Sequence, residues 1–153
     1  MLEQGDALPA VALKDADGAD IALDSYHGKP LVIYFYPKAD TPGCTNEAKD
    51  FTEQHDAFVA AGASVIGVSK DKPGKLKKFA DKYGLRVILA SDEEGGACEA
   101  FGTWVEKSLY GRKYMGIERA TFLFDTDGKV ARVWPKVKVK GHAQEVLEAV
   151  RAL

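Results

Sequence analysis

The sequence predicts an α/β fold in which a central mixed β-sheet carries helices on both faces. Between residues 31 and 90, short apolar runs typical of strands alternate with amphipathic helical patterns. Such alternation requires parallel strands joined by right-handed crossovers. Two later apolar runs flank the turn sequence DTDG at residues 125–128. They predict an antiparallel hairpin that extends the same sheet.

The size and charge of the chain narrow its function. Its 153 residues, 46% hydrophobic and 29% charged, are enough for one packed core, so we expect a single domain over residues 1–153. A formal net charge of -2 gives no basis for binding nucleic acid. The N-terminus lacks the pattern of a signal peptide, and no stretch approaches the roughly 18 apolar residues of a membrane span. We expect a cytoplasmic protein without membrane contact.

The first elements surround the junction on which the functional argument depends. Apolar positions on both sides of Asp17-Gly18 predict a hairpin over residues 9–23, at one end of the sheet. The run LVIYFY at residues 31–36 predicts a buried central strand. Apolar positions recurring every three or four residues then predict one helix that begins after Thr41 and ends at Gly62. These positions are Cys44, Ala48, Phe51, His55, Phe58 and Gly62.

The later elements complete the alternation. The other predicted strands cover residues 64–68, 85–90, 121–124 and 129–134. The other predicted helices cover residues 75–83, 92–101 and 146–153. Gly84 ends the first of these helices, as glycine commonly does after a helix. A parallel half followed by a hairpin is the thioredoxin-like arrangement, here with an N-terminal hairpin extension.

One cysteine occupies the junction between the central strand and the following helix. Thr41 suits the N-cap, and Pro42 suits the first helical position because it has no N–H group to lose. Cys44 therefore falls in the first helical turn. Unpaired backbone N–H groups and the positive end of the helix dipole stabilise a thiolate there. Because the thiolate is the nucleophilic form, the sequence predicts a reactive cysteine.

The residues around Cys44 resemble a known family. Pro37, Thr41 and Cys44 match the spacing P-x-x-x-T-x-x-C of the peroxiredoxins. The strings YFYPKADTPGCTNEA and FGTWVEKSLYGRKYMGIERATFLFD are similar to the bacterioferritin comigratory protein subfamily, also called peroxiredoxin Q. The resemblance covers nearly the whole chain. It implies thiol-dependent reduction of hydrogen peroxide and organic hydroperoxides without metal, haem or flavin.

The chemistry of such a reaction indicates what lies near the cysteine. The Cys44 thiolate attacks one peroxide oxygen and becomes a sulfenic acid. The Thr41 hydroxyl and the backbone N–H groups near Gly43 and Cys44 are suited to hold the peroxide while charge grows on the leaving oxygen. Pro37 would contribute an apolar surface that keeps water away from the reacting atoms.

A fixed positive charge is also needed beside the thiolate, and the resemblance assigns it to Arg119. Physical reasoning alone does not choose Arg119 over the arginines at positions 86, 112 and 132. Glu47 matches a family position that often holds an acid or amide, and the resemblance implies that it orients the arginine by a charge-assisted hydrogen bond.

The second cysteine departs from the commoner pattern. Relatives carry a resolving cysteine in the helix of the reactive cysteine or in the next one, at positions that here hold Lys49 and Ala80. Only Cys98 remains. We therefore predict a monomeric single-cysteine enzyme, reduced by an external thiol of the thioredoxin, glutaredoxin or glutathione type. The alternatives are a two-cysteine enzyme with Cys98 as an atypical resolving residue, or a disulfide oxidoreductase, which needs C-x-x-C although position 41 is threonine.

The remaining candidates are given structural roles. His55 lies about 16 Å along a helix from Cys44, at 1.5 Å per residue, which is too far for a general base. His142 is expected in a turn and lacks the spacing of a metal ligand. The lysine-rich segment 70–78 is expected to be solvated, although it could meet an acidic reductant. Tyr110 and Tyr114 are expected to be aromatic residues of the core or of a pocket rim.

Overall fold

The computed structural model describes all of residues 1–153 and confirms the predicted thioredoxin-like α/β fold. Its strands are β1 (Leu13–Asp15), β2 (Asp20–Ile21), β3 (Leu31–Phe35), β4 (Ser64–Ser69), β5 (Ile88–Ser91), β6 (Trp104–Leu109), β7 (Arg112–Ile117), β8 (Ala120–Phe124) and β9 (Val130–Trp134). Its α-helices are α1 (Pro42–Glu53), α2 (His55–Ala60), α3 (Pro73–Tyr83), α4 (Ala97–Phe101) and α5 (His142–Arg151). No helix has the length and apolar character that crossing a membrane requires.

Seven strands form one mixed sheet in the order β2-β1-β5-β4-β3-β8-β9. Strands β3, β4 and β5 are parallel, and the other neighbours in the sheet are antiparallel. The predicted N-terminal hairpin forms one edge of the sheet, and the predicted C-terminal hairpin forms the other. Strands β6 and β7 form a separate two-stranded ribbon.

The sheet separates two hydrophobic cores. Successive side chains of β3 point to opposite faces, as in any strand, and every residue of β3 is buried. Helices α1, α2, α3 and α5 cover one face, where Cys44 is part of the core. Helix α4 covers the other face, and Cys98 belongs to that second core. The two cysteines therefore lie on opposite sides of the sheet.

The single helix predicted from Thr41 to Gly62 is wrong, because the structure divides it at Gln54. Gln54 has φ -92° and ψ 4°, outside the helical region, so α1 ends at Glu53 and α2 begins at His55. The apolar spacing continues across the break, since Phe51 and Phe58 still lie 5.9 Å apart on the same core. Periodicity alone therefore hides the break.

Strand β5 and helix α4 begin later in the chain than predicted, because the backbone N–H groups before them or at their start bind acceptors outside these elements. Strand β5 begins at Ile88 rather than at position 85 because the N–H groups of Leu85 and Arg86 bind Ala80 O and Thr52 Oγ1. Helix α4 begins only at Ala97. Residues 92–96 form a loop, and the carboxylate of its first residue, Asp92, accepts the N–H groups of Ala97 and Cys98 at 3.0 and 2.8 Å.

The ribbon of β6 and β7 was not predicted. Its two-residue turn is Tyr110-Gly111, with φ angles of 51° and 79°. Tyr110 and Tyr114, expected in the core or at a pocket rim, are not core residues, because their exposed fractions are 97% and 48%. The ribbon lies outside the main sheet, and its tip is exposed, whereas Ile117 and Trp104 at its base pack on the second core.

Candidate active site

The loop after β3 delivers Cys44 to the start of α1. Thr41 is extended, with φ -98° and ψ 156°, and its carbonyl accepts the first helical hydrogen bond from Thr45 N–H at 2.8 Å. Cys44 therefore lies in the first turn, as predicted. Thr41 holds the N-cap position, but its side chain does not cap the helix. Its hydroxyl instead donates to Lys38 O at 2.8 Å, which leaves the hydroxyl oxygen free to accept from a ligand.

Free backbone donors lie at this helix start. The N–H groups of Gly43 and Cys44 have no acceptor within the protein. The Cys44 side chain itself is buried, since only 2% of the residue is exposed. Pro37 is exposed at the beginning of the same loop. The sulfur is therefore buried at the N-terminal end of α1, beside N–H donors that have no partner in the protein.

Arg119 completes the site from the short link between β7 and β8. Its Nη2 donates to Cys44 Sγ at 3.3 Å. Its Nη1 donates to Glu47 Oε1 at 2.7 Å, and Glu47 lies one helical turn after Cys44. One planar guanidinium group thus bridges sulfur and carboxylate, and the carboxylate fixes the direction in which Nη2 points.

Gly43 makes room for the arginine. A Cβ atom at this position would lie 3.3 Å from Arg119 Nη2, tighter than an ordinary carbon contact. The guanidinium group is held by Cys44 and Glu47, so it has little freedom to move away. Glycine at position 43 therefore allows the arginine to reach the sulfur.

Glu47 is buried almost completely, with 1% of the residue exposed. Burial raises the pKa of its carboxyl group to about 7, against the opposing effect of Arg119. Its Oε2 atom has no hydrogen-bond partner, while Oε1 is bound to the arginine. The site therefore holds one cation between two groups that can each become an anion.

Cys98 lies in a different environment on the other face of the sheet. It is wholly buried, and burial together with the neighbouring Asp92 carboxylate raises the pKa of its thiol. A thiol with a raised pKa is a poor nucleophile at neutral pH. Joining it to Cys44 would require the two Cα atoms to approach within about 7 Å. The sheet between the two cores prevents this in the folded protein.

One group of potential metal ligands is present. Asp92, Cys98 and Glu99 each offer an atom within 4.8 Å of the others. Both oxygens of Asp92 already accept backbone N–H groups, and Lys70 forms ion pairs with Asp92 and Glu99 at 3.4 and 3.0 Å. These contacts occupy the carboxylates, so the group offers no open ligand set.

Ion pairs neutralise several lysines of the lysine-rich segment 70–78 and of helix α3, which begins within this segment. The pairs on α3 join Lys75 to Asp71, Lys77 to Asp17 and Lys82 to Asp40. Each pair is partly exposed and contributes little to stability by itself. The pairing also weakens the segment as a cationic surface for an acidic reductant.

The prediction that His142 lies in a turn is wrong. His142 is the first residue of α5, and it is buried. Its Nε2 lies 2.7 Å from the Thr121 hydroxyl on β8. Its ring packs against Phe51 and Trp134 with centroid distances of 6.0 and 5.6 Å. An isolated histidine does not predict this contact, because strand β8 and helix α5 meet only in the folded chain.

Burial lowers the pKa of His142 to about 4, and this predicts acid sensitivity. Between pH 6.5 and pH 4 the unfolded chain binds a proton that the folded chain excludes, so stability falls as the pH falls. Replacing His142 by glutamine should remove roughly 2 kcal/mol of the stability loss between pH 7 and pH 4.5.

Urea unfolding of the parent and of His142→Gln at several pH values measures this difference. The exposed His27→Gln serves as the control and should retain the parent's pH profile. Parallel profiles for the parent and His142→Gln would contradict the assignment of a buried neutral imidazole.

Fold and site together define a thiol-based oxidoreductase of the thioredoxin-like fold. A family model described as "AhpC/TSA family" matches residues 4–133. The chain belongs to this family and is a peroxiredoxin. It is 45% identical over 150 residues to the peroxiredoxin Bcp of Bacillus subtilis, covering 98% of this chain and 96% of that protein. It is 44% identical over 146 residues to peroxiredoxin Bcp of Escherichia coli K12, covering 95% and 94%.

Solved structures agree with this assignment. The bacterioferritin comigratory protein of Xanthomonas campestris, a structure concerned with alkyl peroxide reduction, superposes with a TM-score of 0.89 at 43% identity, covering 96% of this chain and 98% of that one. A cysteine-to-serine mutant of Xylella fastidiosa PrxQ superposes with a TM-score of 0.93 at 35% identity, covering 99% and 97%.

Proposed function

We propose that this peroxiredoxin reduces hydrogen peroxide and organic hydroperoxides at Cys44 and relies on an external thiol to complete each cycle. The observation that carries the proposal is the 3.3 Å contact between Arg119 Nη2 and Cys44 Sγ, in a chain whose other cysteine belongs to the opposite core. Alkyl peroxide reduction by the Xanthomonas campestris relative supports including organic substrates.

In the first step the Cys44 thiolate attacks the nearer oxygen of the peroxide. A sulfur–oxygen bond forms while the oxygen–oxygen bond breaks, so sulfur loses two electrons and the peroxide gains them. The leaving oxygen takes a proton and departs as water or an alcohol. Cys44 remains as a sulfenic acid.

Three groups are suited to stabilise this step. Arg119 supplies a fixed positive charge beside the sulfur, where it can stabilise the negative charge that develops on the leaving oxygen. The N–H groups of Gly43 and Cys44, which have no protein acceptor, are available to the peroxide oxygens. The Thr41 O–H donates a hydrogen bond to Lys38 O, so the Thr41 oxygen is available to accept a hydrogen bond from the O–H of the incoming peroxide. Glu47 orients the arginine, and Pro37 borders the approach.

The second step uses an external thiol. Its thiolate attacks the Cys44 sulfur, water leaves, and a mixed disulfide forms. A second thiol then attacks the external sulfur, which releases the Cys44 thiolate and one external disulfide. Thioredoxin, glutaredoxin and glutathione all supply this chemistry. Because the cycle consumes thiols, we propose a reducing cytoplasmic location.

The burial of Cys98 supports the single-cysteine cycle. The sulfur is wholly buried, its pKa is raised, and it is separated from Cys44 by the sheet. The catalytic groups all come from one chain, so we propose that the monomer is active. The single fold supports one domain over residues 1–153.

Turnover by a Cys98 variant tests the single-cysteine cycle. Cys98→Ala avoids burying a hydroxyl group and should keep most of the parent's peroxide turnover with a small thiol. Repeating the assay with dithiothreitol, glutathione, and the thioredoxin and glutaredoxin systems identifies the reductant. Loss of turnover in a folded Cys98→Ala protein would instead make Cys98 the resolving residue.

A further inference from the structure

We propose that Asp71 is a positioning residue for the peroxide step, because its carboxylate holds the loop that carries Thr41 and Cys44. This inference rests on the proposed function. Asp71 touches neither the sulfur nor Arg119, so its effect would pass through the loop backbone. It lies in the loop between β4 and α3, and β4 is a strand that pairs directly with β3.

The central contact joins two loops that are far apart in sequence. Asp71 Oδ2 accepts the backbone N–H of Ala39 at 2.8 Å, across 32 positions of the chain. Ala39 lies between the end of β3 and Thr41, two residues before Thr41, and it is 2% exposed. A buried N–H group that loses its acceptor is costly, so the loop would move to find water or another acceptor.

The carboxylate is itself held in place. Ser69 at the end of β4 donates its hydroxyl to the same Oδ2 atom at 2.9 Å. Ser91 at the end of β5 donates to the backbone carbonyl of Asp71 at 2.6 Å. Lys75 forms an ion pair with Oδ1 at 3.2 Å. Asp71 thus connects the loop before α1 to the ends of two neighbouring parallel strands.

A second contact fixes the following residue of the loop. Asp40 adopts φ 61°, a left-handed conformation that costs energy for a residue with a side chain. Its carboxylate accepts the Tyr83 hydroxyl and pairs with Lys82 at 3.0 Å, both at the end of α3. The contacts at Ala39 and Asp40 together determine how the backbone enters Thr41.

The peroxide step depends on this entry more than other reactions of the sulfur do. Attack on peroxide needs the Thr41 oxygen and the free N–H groups aligned with the sulfur, and small misplacements of reacting groups are costly. Alkylation by iodoacetamide needs only an accessible thiolate. Asp71 forms no hydrogen bond or ion pair with Arg119, the positive partner of that thiolate. The ratio of the two rate constants therefore separates positioning from a general loss of structure.

The test uses Asp71→Ala in a Cys98→Ala background, so that Cys44 is the single thiol. We expect the rate constant for hydrogen peroxide to fall about tenfold to a hundredfold, with little change for iodoacetamide. Asp71→Asn keeps an oxygen for Ala39 N–H and should recover much of the rate. Lys75→Met removes the ion pair but not the Ala39 contact and should match the parent.

If Asp71→Ala fails to fold, Asp71→Ser replaces it, because its hydroxyl is too short to reach Ala39 N–H and the same loss is expected. Equal changes in both rate constants, or no change in either, would overturn the inference. A parent protein that does not react with peroxide would overturn the proposed function instead, so the two failures are distinguishable.

Discussion

Cys44→Ser should abolish thiol-dependent peroxide reduction while leaving the fold intact. The hydroxyl of serine does not ionise near neutral pH, so no nucleophile remains for the peroxide oxygen. Cys44 is buried beside unpaired N–H groups, and serine differs from cysteine by one atom. The substitution therefore removes the chemistry and leaves nearly the same packing volume.

Peroxide consumption with excess dithiothreitol, followed alongside circular dichroism, measures both parts of this expectation. Cys98→Ala provides the matched control, since it removes the other buried cysteine and should remain active. Turnover retained by a folded Cys44→Ser protein would end the assignment of peroxide attack to Cys44.

Arg119→Met should lower the rate constant for peroxide attack by about 10²- to 10³-fold, the usual cost of losing one donor that stabilises a transition state. Methionine fills much of the arginine volume, but it supplies neither the positive charge nor the two hydrogen bonds to Cys44 Sγ and Glu47 Oε1. Single-turnover kinetics of peroxide attack measure the change. Arg119→Lys keeps the charge without the planar fork and should fall between methionine and the parent.

The structure adds a consequence for stability. Removing Arg119 leaves Glu47 buried without its partner, which is more damaging than losing an exposed ion pair. The double variant Arg119→Met/Glu47→Gln removes this unpaired acid and should remain slow with peroxide while recovering stability. Arg86→Met breaks an exposed ion pair with Asp56 and controls for loss of charge. A parent-like rate in Arg119→Met would show that another cation acts at the sulfur.

The local part of the site could be predicted from the sequence because it depends on neighbouring residues. A buried strand, a turn, Pro42 and an apolar helical spacing are enough to put Cys44 in a first helical turn. The sequence also predicted the parallel strands, because their apolar runs alternate with helices. The side-chain cap at Thr41 failed because its hydroxyl found an acceptor at Lys38.

Partners distant in sequence could not be derived in the same way. Arg119 lies 75 positions from Cys44, and only the family resemblance distinguished it from other arginines. The Asp71 contact with Ala39 and the His142 contact with Thr121 likewise arise when separate elements pack together. No periodicity marks such contacts in advance.

The ribbon of β6 and β7 shows the same limit for secondary structure. The sequences of its two strands show no clear alternation of apolar and polar residues. The ribbon lies outside the main sheet, and many of its side chains remain exposed. The Tyr110-Gly111 turn is a short-range hairpin feature that could have revealed it, although a tyrosine with positive φ is uncommon there.

The intact mass of the parent protein after one equivalent of peroxide tests the single-cysteine account most directly. We expect a gain of one oxygen atom, located at Cys44 by trapping the sulfenic acid, and further oxidation to sulfinic acid when peroxide is in excess. The same treatment of Cys44→Ser should leave the mass unchanged. A loss of two hydrogen atoms with a peptide linking Cys44 to Cys98 as the main product would contradict the account.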